Sequence, residues 1–145
     1  MKRSLWRGKR KDNGEWVYGI FHEDLCVIAE YGNHVYDEGT LTLLSAYRVV
    51  PETVGEFTGL MDRKKNHIFE GDIVRNVTSR HPELGVIRWC ERDVRFEIIW
   101  GSNPGGIRLS ACSSEVEYDV FGNVHDDPGL CEDVNNFLRR NSCWT

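Results

Sequence analysis

The stretch TGLMDRKKNHIFEGDIVR, Thr58 to Arg75, constrains the fold more than any other part of the chain. Thr58-Gly59-Leu60 leads into a charged run, Asp62-Arg63-Lys64-Lys65-Asn66. The chain then returns through His67-Ile68-Phe69-Glu70-Gly71-Asp72-Ile73-Val74, where apolar and polar residues alternate. A polar turn between two such arms predicts a hairpin-like reversal that feeds a buried strand. Gly59 and Gly71 supply backbone freedom for the turns, and Asp72 can accept hydrogen bonds from amides of the turn before the strand.

Elsewhere the pattern is of short strands joined by turns. Asp12-Asn13-Gly14 predicts a tight turn between an arm holding Leu5 and Trp6 and a second arm, Glu15 to Phe21, rich in aromatic and β-branched residues. Trp6, Trp16 and Tyr18 read as core or sheet-face packing. His22 to Val50 breaks into further short strands, Pro51 interrupts the pattern, and a soft boundary falls at 57. Ile73 to Val77, Gly85 to Trp89 and Val94 to Trp100 then follow at the spacing of antiparallel strands. A Gly-Asp-x-Val start, a polar loop and a returning Gly-Val-Ile fit a small SH3-type β-barrel, whose closure leaves no edge to pair with other chains. Ser102-Asn103-Pro104-Gly105-Gly106 marks a loop, and Leu130, Val134, Phe137 and Leu138 fall on one face of a predicted helix. The expected fold class is mainly β. An N-terminal β-hairpin or small sheet (1–57) packs with an SH3-type small β-barrel (58–127), and a short C-terminal helix and tail (128–145) follow.

Composition narrows the function classes. The 145 residues are 40% apolar and 28% charged, as in ordinary globular domains. No run approaches the roughly 18 apolar residues of a membrane span, and no apolar leader follows the first residues. The expectation is a cytoplasmic protein with no membrane association. Cys26, Cys90, Cys112, Cys131 and Cys143 show no paired spacing, so reduced thiols are expected, with no disulfide framework, metal or cofactor. A net charge of -5 argues against a general nucleic-acid binder. Basic residues nevertheless crowd the first eleven positions (Lys2, Arg3, Arg7, Lys9, Arg10, Lys11), which read as solvated surface.

No phosphate-binding glycine loop, dinucleotide fingerprint or HExxH motif is present. Glu70 and Asp72 share one side of a strand, as a carboxylate pair could, but capping of the turn accounts better for Asp72. No catalytic residue is assigned. What remains is a recognition surface: Arg63, Lys64 and Lys65 at the loop tip, with Arg75, Arg88, Trp89, Arg95 and Trp100 on the barrel strands. Such a basic and aromatic face suits single-stranded nucleic acid or an acidic peptide. Alternation divides the set between two strand faces, and Trp89 and Trp100 also fit as core.

Thr58–Arg75 resembles the hallmark of the YopX family of phage and prophage proteins, in which a TGL-type opening, a charged turn and an I-[YF]-EGDIV strand occur in that order. Val120-Phe121-Gly122-Asn123-Val124-His125-Asp126-Asp127-Pro128-Gly129-Leu130 is similar to that family's closing IGNI-x-x-NP-x-L segment. His67 stands where a glycine often follows the Asn, and Gly129 replaces a more helix-friendly residue. The resemblance implies a mainly β protein with an SH3-type barrel in its C-terminal part, and no assigned reaction. The expected function is that of a non-enzymatic accessory protein in the bacterial host cytoplasm, acting on a protein partner or as a homo-oligomer. The alternative is a nucleic-acid-binding module using the basic, aromatic barrel face.

Overall fold

The computed structural model describes residues 5–30, 34–37, 40–43, 45–76, 84–100, 107–109 and 118–130. It divides into two compact units, Met1–Phe57 and Thr58–Thr145. Among the described residues the regular structure is antiparallel strand, apart from one 3-10 turn at Pro51–Thr53.

The first unit holds β1 (Trp6–Lys9), β2 (Trp16–His22), β3 (Val27–Glu30), β4 (His34–Asp37), β5 (Thr40–Leu43), β6 (Ala46–Arg48) and the start of β7 (Gly55–Met61). The strand order is β6-β3-β2-β1-β7, and β4 and β5 pair separately as a hairpin. The expected opening hairpin is present, with Arg7 opposite Tyr18 and Lys9 opposite Trp16. Of its Asn-Gly pair only Gly14 needs the left-handed region, at φ +74°, while the Asn13 side-chain oxygen accepts the Glu15 N–H. Val17, Ile28 and Val49 form the core, with Trp6, Phe21, Tyr47 and Val54 packed on it. Because successive residues of a strand point to opposite faces, Trp16 and Tyr18 lie across the sheet from Val17. Trp6 thus packs in the core, 5.4 Å from Phe21, whereas Trp16 and Tyr18 stand on the opposite sheet face, Tyr18 at 46% exposure.

The second unit continues β7 and adds β8 (His67–Phe69), β9 (Asp72–Asn76), β10 (Leu84–Cys90), β11 (Arg95–Trp100), β12 (Ile107–Arg108) and β13 (Tyr118–Asn123). The last five form a sheet of order β12-β11-β10-β9-β13, a meander whose final strand returns beside the first in the manner of a Greek key. The apolar doublets Ile73-Val74, Val86-Ile87 and Ile98-Ile99 are all fully buried. Adjacent residues face opposite ways, so both faces of this sheet are covered. Val74, Ile87, Ile98 and Trp100 pack with Ile68 and Leu109 on one side; Ile73, Val86 and Ile99 pack with Leu84 and Val124 on the other.

Mainly β architecture is thus what the chain adopts. No sheet is closed among the described residues: β12 pairs only with β11, and β13 only with β9. The expected helix over 128–145 lies outside the described residues except for Pro128-Gly129-Leu130, which form a turn. The expected loop at 102–106 also lies outside them.

Gly85 tests the packing directly, because a Cβ there would sit 2.6 Å from Ile98 Cγ2 and 2.8 Å from Trp100 Cε3. Gly85→Ala is expected to lower the unfolding free energy by about 1–3 kcal/mol in urea titrations, as overpacked cores do. Gly129→Ala, whose Cβ meets no atom within 4 Å, should leave it unchanged.

Candidate functional site

Between β7 and β8 the chain reverses around one carboxylate. Asp62 is buried at 5% exposure. Its Oδ1 accepts the N–H groups of Lys64 (2.9 Å) and Asn66 (2.8 Å), and its Oδ2 accepts Asn66 Nδ2 (3.0 Å) and the N–H of Val120 on β13 (3.1 Å). The first two are the local bonds an Asp makes to its own turn; the last ties that turn to a strand far along the chain. Backbone bonds close the turn, from Asp62 N–H to Asn66 O and from Lys65 N–H to Asp62 O, while the Arg63 N–H reaches Tyr118 O. Lys65 takes φ +69°, a left-handed conformation uncommon outside glycine and asparagine.

Above this junction Arg63 grips Asp119 with two parallel bonds, Nε to Oδ1 at 2.7 Å and Nη2 to Oδ2 at 2.8 Å. Arg75 on β9 is the cross-strand partner of Asp119, so its position lies next to the residue that Arg63 holds. The Asp119 carboxyl is held below its ordinary range, first by the Arg63 hydrogen bond and further by the positive charges of Arg63 and Lys64. For Asp62 burial acts upward, but the donors from Val120, Asn66 and Lys64 outweigh it and leave the carboxyl below its ordinary value. Arg63, Lys64, Lys65, Asn66, His67 and Arg75 are exposed, as are Met61 (52%) and Phe121 (53%).

Of the residues singled out in the sequence, Arg63, Lys64, Lys65 and Arg75 are therefore brought to one neighbourhood. The others are elsewhere. Trp100 is core and stacks 6.4 Å from Tyr118, and Trp89 is half-buried, edge-on to Phe96 at 4.9 Å. Arg88 is buried on the face of β10 that also carries Val86, and its Nη2 bonds Glu97 Oε2 at 3.2 Å. Arg95 contacts the other oxygen of Glu97 at 3.0 Å. These residues do not form an open basic and aromatic face, because both sides of the sheet are covered. The turn residues are structural in their contacts: Gly59 and Gly71 have φ of +87° and +90°, and the buried Asp72 accepts the Phe69 N–H at 2.7 Å. Asp62, Asp119 and Phe121 were not singled out. The Asp-x-x-x-Asn spacing signals the first as a turn former, whereas the other two acquire their surroundings only from the pairing of β13 with β9.

Cys90, Asp93 and Glu97 bring potential metal-binding atoms within 4.8 Å of one another. Arg88 and Arg95 already occupy the Glu97 oxygens, and Arg92 and Arg95 flank Asp93. A dication would have to enter beside three guanidinium groups, so the cluster reads as a charge network. Cys26 and Cys90 are free thiols.

A model of the YopX protein family matches residues 5–132. Among solved structures, the crystal structure of protein EF1440 from Enterococcus faecalis is similar, with a TM-score of 0.59 and 21% identity over 90% of this chain and 99% of that chain. Likeness at that identity speaks for the fold. The comparison with curated proteins gives no match.

Two measurements probe the networks. The folded Asp62 carboxyl titrates below its ordinary 3.8, so its contribution is complete above that value and is lost as the pH falls through the lowered one. Asp62→Asn should be less stable than wild type at neutral pH by roughly 1.5–3 kcal/mol, and the gap should narrow under acid in urea titrations. Glu97→Ala leaves the Arg88 charge buried without its partner and is expected to cost about 3–5 kcal/mol. Replacing the pair together, Arg88→Met with Glu97→Leu, should recover most of that loss.

Proposed function

The chain belongs to the YopX family, and from that premise we propose that it is a non-enzymatic interaction module, a phage or prophage accessory protein. It works in the bacterial cytoplasm on a protein partner or a second copy of itself. The observation that carries this reading is the latched tip. Asp62 fixes the 62–66 turn against β13, so Arg63, Lys64 and Lys65 are presented in one geometry, with Arg75 across the strand from Asp119 and the exposed Phe121 one residue beyond the Val120 latch. A surface ordered before binding loses less conformational freedom on association. Its cations, on a chain of net charge -5, orient a partner that bears carboxylates around an apolar recess for Phe121.

The carboxylates near the tip support a binding role over a catalytic one. Asp62 is occupied by four donor contacts and Asp119 by the Arg63 fork. The same reading takes the second unit as an SH3-type barrel, supported by the return of β13 beside β9 at the end of the meander. The alternative, nucleic acid on the barrel face, loses its support because Trp100 and Arg88 are buried.

Light scattering after size exclusion, with affinity capture on immobilised protein, tests the proposal. A complex, self-made or with a host or phage protein, should form with wild type and be lost in Lys64→Glu/Lys65→Glu and in Phe121→Ser. A strict monomer whose captured proteins are the same with and without these substitutions would overturn it.

A further inference from the structure

The face of the first sheet opposite its core carries a second surface of different construction. Beyond β1 the chain runs alongside the segment after β6: Arg10 bridges Val49, the Lys11 N–H donates to Arg48 O, and the Val50 N–H donates to Lys9 O. Val49 belongs to the core, and a Cβ on Gly8 would lie 3.1 Å from it, so these residues face inward. Strand alternation then puts Arg7, Lys9 and Lys11 on the outer side, with Arg48 joining them opposite Lys11.

Two aromatic rings stand among these cations, since Tyr18 is the cross-strand partner of Arg7 and Trp16 that of Lys9. The Arg7 guanidinium lies 4.6 Å from the Trp16 ring centroid and the Lys9 ammonium 5.5 Å from it. Arg7 is buried and props the indole, while Tyr18, Lys11 and Arg48 are exposed. Lys11 and Arg48 also line a cavity of about 390 Å³ with Asp12, Ala46 and Tyr47. Among these described lining residues the carboxylate, Asp12, is gripped by Arg10 through both oxygens.

We infer that this face binds single-stranded nucleic acid, with Lys9, Lys11 and Arg48 on the phosphates and Tyr18 stacking a base beside the propped Trp16. Alternate residues of a strand are about 6.6 Å apart, comparable with successive phosphates of an extended single strand. Rings with cations alongside are the means by which sheet surfaces hold unpaired bases without reading their sequence.

Fluorescence anisotropy with labelled oligothymidylate and oligouridylate, on the full chain at low salt, tests the inference. Binding of either oligonucleotide should weaken with salt at a log–log slope of about -2, from three phosphates at roughly 0.7 each. Lys11→Ala should reduce that slope by about 0.7. Tyr18→Ala should weaken binding about 5- to 150-fold, as loss of one stacked base does, and Tyr18→Phe should retain it. Lys64→Glu/Lys65→Glu, at the tip of the other unit, should bind as wild type does, which separates this inference from the proposal above. No binding at low salt, equal binding of a duplex, or equal displacement by polyglutamate would overturn it. So would a Tyr18→Phe variant as weak as Tyr18→Ala, or binding lost with the tip substitutions and kept in Lys11→Glu/Arg48→Glu.

Discussion

The carboxylate of Asp62 joins two parts of the second unit that are remote in sequence, and the geometry of the exposed tip depends on it. A five-residue turn with three adjacent cations would be expected to splay, since Arg63, Lys64 and Lys65 repel one another and Lys65 occupies an uncommon backbone region. Four contacts to one buried acid oppose that tendency, and one of them comes from Val120 on β13. The Arg63–Asp119 fork adds direction more than strength, because it lies at the surface where solvent screens it. Charge in the tip is thus ordered by a negative group beneath it.

The five-stranded sheet sets what the remaining candidate residues can do. Burial on both faces makes Arg88 and Glu97, in the middle of their strands, interior groups, and they pair across β10 and β11 in the same layer that holds Val86 and Ile99, while Arg75 near the end of β9 stays exposed. Interior ion pairs are costly to desolvate, and they persist when each charge meets its partner. Glu97 meets two. The network is therefore a feature of the sheet's register, and its chemistry is spent on structure.

Much of this was legible in the sequence. Turn residues and alternating runs marked the strands, and the resemblance carried by Thr58–Arg75 and Val120–Leu130 agrees with the family match. The doublets Ile73-Val74, Val86-Ile87 and Ile98-Ile99 also carried the signal of two-sided burial, since a half-exposed strand would alternate. Arg88 and Trp100, read as surface candidates, stand within or beside such runs. What could not be read was long-range pairing: the meeting of Asp62 with Val120 and of Arg63 with Asp119 depends on β13 returning beside β9. In the first unit the basic residues looked like solvated surface. Only the strand register shows Lys9, Lys11 and Arg48 on one side with Tyr18.

Each unit accordingly carries a surface of its own, one fixed by a buried acid and one laid out by strand alternation. The central claim concerns the first, that the tip is held in place before any partner arrives. Amide hydrogen exchange on wild type and Asp62→Ala measures this most directly. The account predicts that the amides of Lys64, Asn66 and Val120 are protected together in wild type and lose protection together in the variant, while those of Ile87 and Ile98 keep theirs. Protection of Val120 unchanged by the substitution, or an unprotected turn in wild type, would contradict it.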